Sequence, residues 1–229
     1  METSAALEQA WLAMSWWEVA AVLLGLAYLV LAMFERISCW YAAFISTAIY
    51  TFLFWDVNLL MDSVLQIYYM AMAVYGWWQW QQPTDNNKTN LAISRWCWKT
   101  HCAVIGLIIG LSLGSGYLLD QHTQAEWAYL DSFTTWGAVI TTYMVTQKVL
   151  ENWLYWLVID AVAAYLYFDK ALYLTALLFC LYLVIVIFGY LQWRKLYRQQ
   201  GRGSVTDQDD TYLSSQTSTK LHRAVRDMP

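Results

Sequence analysis

Seven apolar stretches dominate this chain of 229 residues: 16–34, 39–55, 58–80, 100–119, 129–147, 152–168 and 171–193, each with at most one charged side chain. A bilayer's hydrocarbon core, about 30 Å thick, is crossed by a helix of about 20 mostly apolar residues. Within that core a helix satisfies all of its own backbone polar groups, which lipid cannot do. Charged residues make up only 13% of the chain, where a soluble domain carries about 25%, and 15 Trp and 17 Tyr suit the membrane interfaces. Neither proline, Pro83 or Pro229, falls inside an apolar run. The expected fold is all-α integral membrane, with seven transmembrane helices.

The flanks differ from the spans. Residues 1–15 lack the positive n-region of a cleaved signal peptide and are expected at most to form a short interfacial helix. The membrane domain is expected over 16–199, and the polar segment 200–229 as a disordered cytoplasmic tail. Putting that tail inside places Arg36, Lys88, Arg95, Lys99, Lys148, Arg194, Lys195 and Arg198 on the cytoplasmic side. Lys170 alone remains outside, with Asp56, Asp120, Glu126 and Asp169. The asymmetry predicts an N-terminus outside and a C-terminus inside.

The chain also repeats itself. "YGWWQW" at 75–80 returns as "FGYLQW" at 188–193, and Gly76 meets Gly189 at an offset of 189 − 76 = 113. At the same offset Trp40 meets Trp153, Asp56 meets Asp169, Tyr69 meets Tyr182 and Trp80 meets Trp193, without a gap from 18–80 to 131–193. The plan is two three-helix repeats, about 16–82 and 129–195, joined by a linker helix at about 97–119. Because the linker crosses once, the two bundles run parallel, a 3+1+3, SWEET-like arrangement known in transporters. Gly106, Gly110 and Gly114 in the linker are expected to serve close helix packing.

Transporter sites lie near the midplane at the repeat interface. There the spacing places Asp160, its mate Thr47, Tyr182 and its mate Tyr69. A mid-bilayer carboxylate costs about 2.5–3.5 kcal/mol on insertion scales, so Asp160 marks a functional site by default. Trp153, Trp156 and Asp160 share a helix face, and Gln66 joins Tyr69 on another. Asn152, Thr135 and Trp136 complete the candidates. Aromatic faces with a carboxylate suit a planar cationic ring. Trp77, Trp78, Trp80 and Trp193 are expected to anchor the interface.

Other chemistries fit poorly. Cys39, Cys97, Cys102 and Cys180 form no CxxC pair, and His101 and His122 sit at opposite ends of one span, about 30 Å apart at 1.5 Å per residue. No nucleophile, zincin or P-loop motif is present. No metal, cofactor, enzymatic activity or nucleic-acid partner is expected; a membrane-embedded enzyme or a sensor is the remote alternative.

"MVTQ", "KVLENWLYWLVID" (148–160) and "QIYYMAMAVYGWWQW" (66–80) resemble the PnuC family of vitamin transporters over about residues 16–195. The resemblance implies facilitated diffusion of nicotinamide riboside, thiamine or riboflavin across the bacterial inner membrane, with trapping by a cytoplasmic kinase, and a homotrimer. Asn152, Trp153 and Trp156 match the family signature after the fifth span. Asp160 stands where many nicotinamide riboside carriers have Asn. Nicotinamide riboside and thiamine both bear a cationic ring, so the carboxylate is compatible with either.

Overall fold

The computed structural model describes the backbone of residues 14–56, 59–83, 91–123 and 127–226. The segment before Met14, with nearly all of the expected interfacial helix, lies outside the described residues, as do Lys88 and Glu126. Seven helices follow one another: α1 Trp16–Met33, α2 Cys39–Asp56, α3 Leu60–Trp80, α4 Trp98–His122, α5 Ala128–Thr146, α6 Asn152–Asp169 and α7 Tyr173–Arg226. The offset of 113 governs their boundaries too: α6 begins and ends 113 residues after α2, and α7 begins 113 after α3. Helix α7 continues over 200–226 where composition suggests a disordered tail; no proline interrupts the chain between Pro83 and Pro229.

Local chemistry sets several of these ends. Ser15 and Glu18 form a capping box on α1, the Ser15 hydroxyl accepting from the Glu18 amide at 3.2 Å and the Glu18 carboxylate from the Ser15 amide at 2.8 Å. Glu35, Lys148 and Ala171 turn left-handed after α1, α5 and α6, with φ of 53°, 48° and 57°. For residues with a Cβ that conformation costs about 1–2 kcal/mol each, so surrounding contacts must hold it. Glu35 and Lys148 are themselves 113 residues apart.

Six helices close a ring in the order α1, α2, α3, α5, α6, α7 and back to α1, while α4 packs along α5 on the outside. The polarity is that of a lipid-facing molecule. Phe52, Val64, Leu177 and Phe188 are exposed, whereas Ser46, Ser63, Thr141, Thr142, Asn152 and Asp160 are buried. Hydroxyls stitch the ring: Ser46 Oγ donates to Ala21 O at 2.8 Å between α2 and α1, and Tyr68 OH to Val139 O at 2.8 Å between α3 and α5. Replacing Ser46 by Ala is expected to lower stability in detergent by about 0.6–1 kcal/mol, the usual yield of an interhelical hydrogen bond in a membrane protein. An unchanged melting temperature would show that the bond contributes nothing.

The core differs from expectation at two tryptophans. Trp80 and Trp193 are not interfacial anchors; they are 2% and 0% exposed and pack with Trp40 and Trp153. The reason is that their indole N–H groups need no water. Trp80 Nε1 donates to Val145 O at 3.1 Å and Trp193 Nε1 to Ala32 O at 3.0 Å, each crossing to the other repeat. Val145 and Ala32 are again 113 apart. Trp77 and Trp78 do remain at the surface.

The glycines differ likewise. Among the described residues nothing lies within 4 Å of a Cβ added at Gly106, Gly110 or Gly114, so these do not serve packing against the other described helices. Gly76 and Gly189 do, seating the rings of Trp40 and Trp153 against α3 and α7.

At this same end, Ser94 pairs with the α5–α6 turn through Ser94 N to Lys148 O at 3.0 Å and Leu150 N to Ser94 O at 2.8 Å. Arg95 Nε donates to Glu151 Oε1 at 2.6 Å, and that bond raises the already high pKa of the guanidinium. At the opposite end Lys170 pairs with Asp131 at 3.1 Å and Trp127 Nε1 donates to Asp169 at 2.9 Å.

Candidate binding site

Helix α6 carries four of the candidate residues. Its first residue, Asn152, is fully buried: Nδ2 donates to Val149 O at 2.6 Å, which turns the amide back over the helix start and leaves Oδ1 buried without a partner among the described residues. Trp153 lies edge-to-face on Trp193, with centroids 5.4 Å apart at 86°, and its indole N–H is buried and unpartnered among the described residues. Trp156 packs half-buried against the same cluster. One turn further, Asp160 is 3% exposed. Among the described residues its carboxylate accepts no hydrogen bond and has no ion-pair partner.

The two tyrosines stand near the seams between the repeats. A Cβ on Gly25 of α1 would lie 3.8 Å from Tyr182 OH, so the α7 tyrosine reaches the α7–α1 seam. Tyr69 packs edge-on against Tyr68, whose hydroxyl bonds α5 across the α3–α5 seam. Gln66 is half-buried one turn from Tyr69 on α3.

Three candidates are placed elsewhere. Thr47 folds its hydroxyl onto its own helix, donating to Ala43 O at 2.9 Å. Trp136 turns outward, its Nε1 donating to Ser115 Oγ of α4 at 3.0 Å, and the adjacent Thr135 is exposed. The arrangement therefore gathers Asn152, Trp153, Trp156 and Asp160 on α6, with Tyr69 and Tyr182 toward the seams, and sets Trp136 against the linker helix.

Two further interior groups stand beside the candidate residues. Trp40 is 2% exposed and Thr141 fully buried, and among the described residues neither the Trp40 indole N–H nor the Thr141 hydroxyl has a partner. The signal for Trp40 was present, since it is the repeat mate of Trp153. For Thr141 only its place among the threonines of α5 was available.

Buried polar groups left unsatisfied by the protein are costly and point to an occupant that satisfies them. A helical ring with an apolar exterior, holding buried polar groups that have no partner among the described residues, defines a multi-pass membrane protein. The comparisons with known proteins narrow that class to transporters. The nicotinamide mononucleotide transporter family matches residues 15–195, and the chain belongs to this family, which includes the PnuC proteins.

Among its relatives, the nicotinamide riboside transporter PnuC of Escherichia coli is 23% identical, the match covering 82% of this chain and 89% of that protein. The Haemophilus influenzae protein of the same description is 26% identical, over 81% and 82%. The riboflavin/roseoflavin transporter RibM of Streptomyces davaonensis is 24% identical, over 82% and 88%. The fold matches the crystal structure of the vitamin B3 transporter PnuC with a TM-score of 0.64 at 18% identity, covering 81% of this chain and 83% of that one.

Proposed function

We propose that this protein carries nicotinamide riboside into the cell by facilitated diffusion, with no ion coupling, and that a cytoplasmic kinase traps the product by phosphorylation. The observation that carries the reading is Asp160, a buried carboxylate without a partner among the described residues, on the helix that also bears Trp153 and Trp156. A pyridinium ring supplies both the missing counter-charge and a flat face for the indoles. Asn152, Gln66, Tyr69 and Tyr182 offer polar contacts to the ribose, while Thr135 and Trp136, turned away from the ring's interior, take no part.

The architecture that goes with this reading is 3+1+3, two parallel three-helix bundles joined by α4. The ring order and the helix boundaries repeated at 113 support it. Arg95 and Lys148 gather at one end with Arg36, and the basic residues after Trp193 follow, which supports N-outside, C-inside in the bacterial inner membrane. Gly106, Gly110 and Gly114 on α4 present a smooth face that none of the described residues covers, which supports a homo-oligomer, a trimer by family resemblance.

A second reading keeps the fold and changes the vitamin. The riboflavin-carrying relative favours it, and thiamine, with its cationic ring, suits Asp160 equally. Calorimetry of the purified protein with nicotinamide riboside, thiamine and riboflavin separates these. Saturable heat with nicotinamide riboside and none with neutral riboflavin is the expected result. Binding of riboflavin alone would overturn the assignment and the role given to the carboxylate.

A further inference from the structure

We propose that the Glu35–Lys148 ion pair is the latch of a gate that closes the transport path at its cytoplasmic end. The inference rests on the transporter reading and on the orientation proposed above.

Lys148 Nζ donates to Glu35 Oε1 at 2.9 Å, across a separation of 113 residues. The two residues are therefore repeat mates. Equivalent positions of two repeats related by a two-fold axis touch only where both lie close to that axis. The pair consequently sits on the axis of the helical ring, where a central path must run. A second pair of mates does the same beside it: the Trp80 and Trp193 rings meet tilted at 57°, with centroids 6.1 Å apart. The layers touch, because Lys148 Nζ lies 4.6 Å from the centre of the Trp80 ring.

The two repeats differ in sign at this position. Like charges on the axis would push the repeats apart, and opposite charges draw them together. Lys148 is 4% exposed and is also held by Leu91 O at 2.9 Å, so the segment after α3 braces it from outside. Glu35 keeps 19% of its side chain exposed, so water can take it when the repeats part. A latch needs that combination of one anchored partner and one releasable partner.

The opposite end lacks such a clasp. Its side-chain bonds between elements, Trp127–Asp169, Lys170–Asp131 and Ser63–Thr51, each stay on one side of the repeat boundary, and among the described residues none joins the repeats there. Gln79–Gln147, Gln147–Tyr75, Trp80–Val145 and Trp193–Ala32 all cross between repeats at the latch end. Apart from Tyr68–Val139 partway along α3 and α5, the side-chain bonds between repeats gather at the latch end, and alternating access requires this end to open.

Cys39 provides a native reporter. It is fully buried, a free thiol, and begins α2 four residues after Glu35. With Cys97, Cys102 and Cys180 replaced by Ser, a membrane-impermeant maleimide is applied to the cytoplasmic face of inside-out vesicles. Glu35→Gln and Lys148→Gln are each expected to speed Cys39 labelling about tenfold, the population shift that about 1.4 kcal/mol produces. Both are also expected to speed efflux of preloaded nicotinamide riboside. The swapped pair Glu35→Lys with Lys148→Glu is expected to restore slow labelling. Unchanged labelling in the single variants overturns the latch. Labelling that stays fast in the swapped pair overturns it too, because it reports a loosened fold. Absence of flux in the wild type would instead sink the transporter reading, while the labelling rates still judge the latch.

Discussion

Asp160→Ala is expected to raise the dissociation constant for nicotinamide riboside roughly 30- to 5,000-fold. The range corresponds to about 2–5 kcal/mol, the usual loss when one partner of a buried charge pair is removed. The free protein should behave in the opposite sense. A carboxylate 3% exposed with no partner among the described residues is a liability to the empty fold, so its removal is expected to leave the melting temperature unchanged or to raise it. Thermal shift with and without the vitamin reads both effects in one experiment. Asp160→Asn separates the two ways the carboxylate can act, since it keeps shape and hydrogen-bonding capacity and loses charge. Weak binding by Asn assigns the residue to the cationic ring, and near-native binding assigns it to the ribose. Native affinity in a folded Asp160→Ala protein would remove Asp160 from the site.

Gly76→Ala and Gly189→Ala are expected to destabilise the protein by about 2 kcal/mol each. An added Cβ at Gly189 would lie 2.5 Å from the Trp153 ring, and at Gly76 it would overlap the Trp40 ring. Neither ring can swing away. Trp40 is wedged between Tyr28, 5.9 Å distant, and Trp80, 5.2 Å distant, and Trp153 is backed by Trp193. Overpacking of this kind costs typically about 1–3 kcal/mol, here at the upper end, against about 1 kcal/mol gained from replacing glycine in a helix. Gly106→Ala and Gly110→Ala supply the control, because their added methyl groups meet open space. There the helix term acts alone, and stability is expected to hold or rise. A destabilised Gly106→Ala would mean that another copy of the chain occupies that face.

The architecture was largely legible from residues. The seven spans of the sequence agree with α1 to α7 to within a few residues, apart from the extension of α7. A single offset read from "YGWWQW" and "FGYLQW" recurs in the helix limits, in the left-handed residues Glu35 and Lys148 and in the crossed tryptophan bonds. Side-chain direction was far less legible. Trp136 stood among the candidate substrate contacts and faces α4; Trp80 and Trp193 looked like anchors and form the core. In water a helix shows its inner face by its apolar stripe. In lipid both faces can be apolar, so the pattern that would report rotation about the helix axis is weak.

That difference divides what each level decides. Spans, helix ends and the repeat are set by local necessity: a backbone in hydrocarbon must bond to itself, and its length must match the bilayer. These follow from the sequence alone. Contacts between repeats lie 113 or 161 residues apart in the chain, as in Glu35–Lys148 and Ala32–Trp193. No periodicity or composition announces them, because the ring closes on itself and only the closed ring brings the ends of α1 and α5 onto one axis.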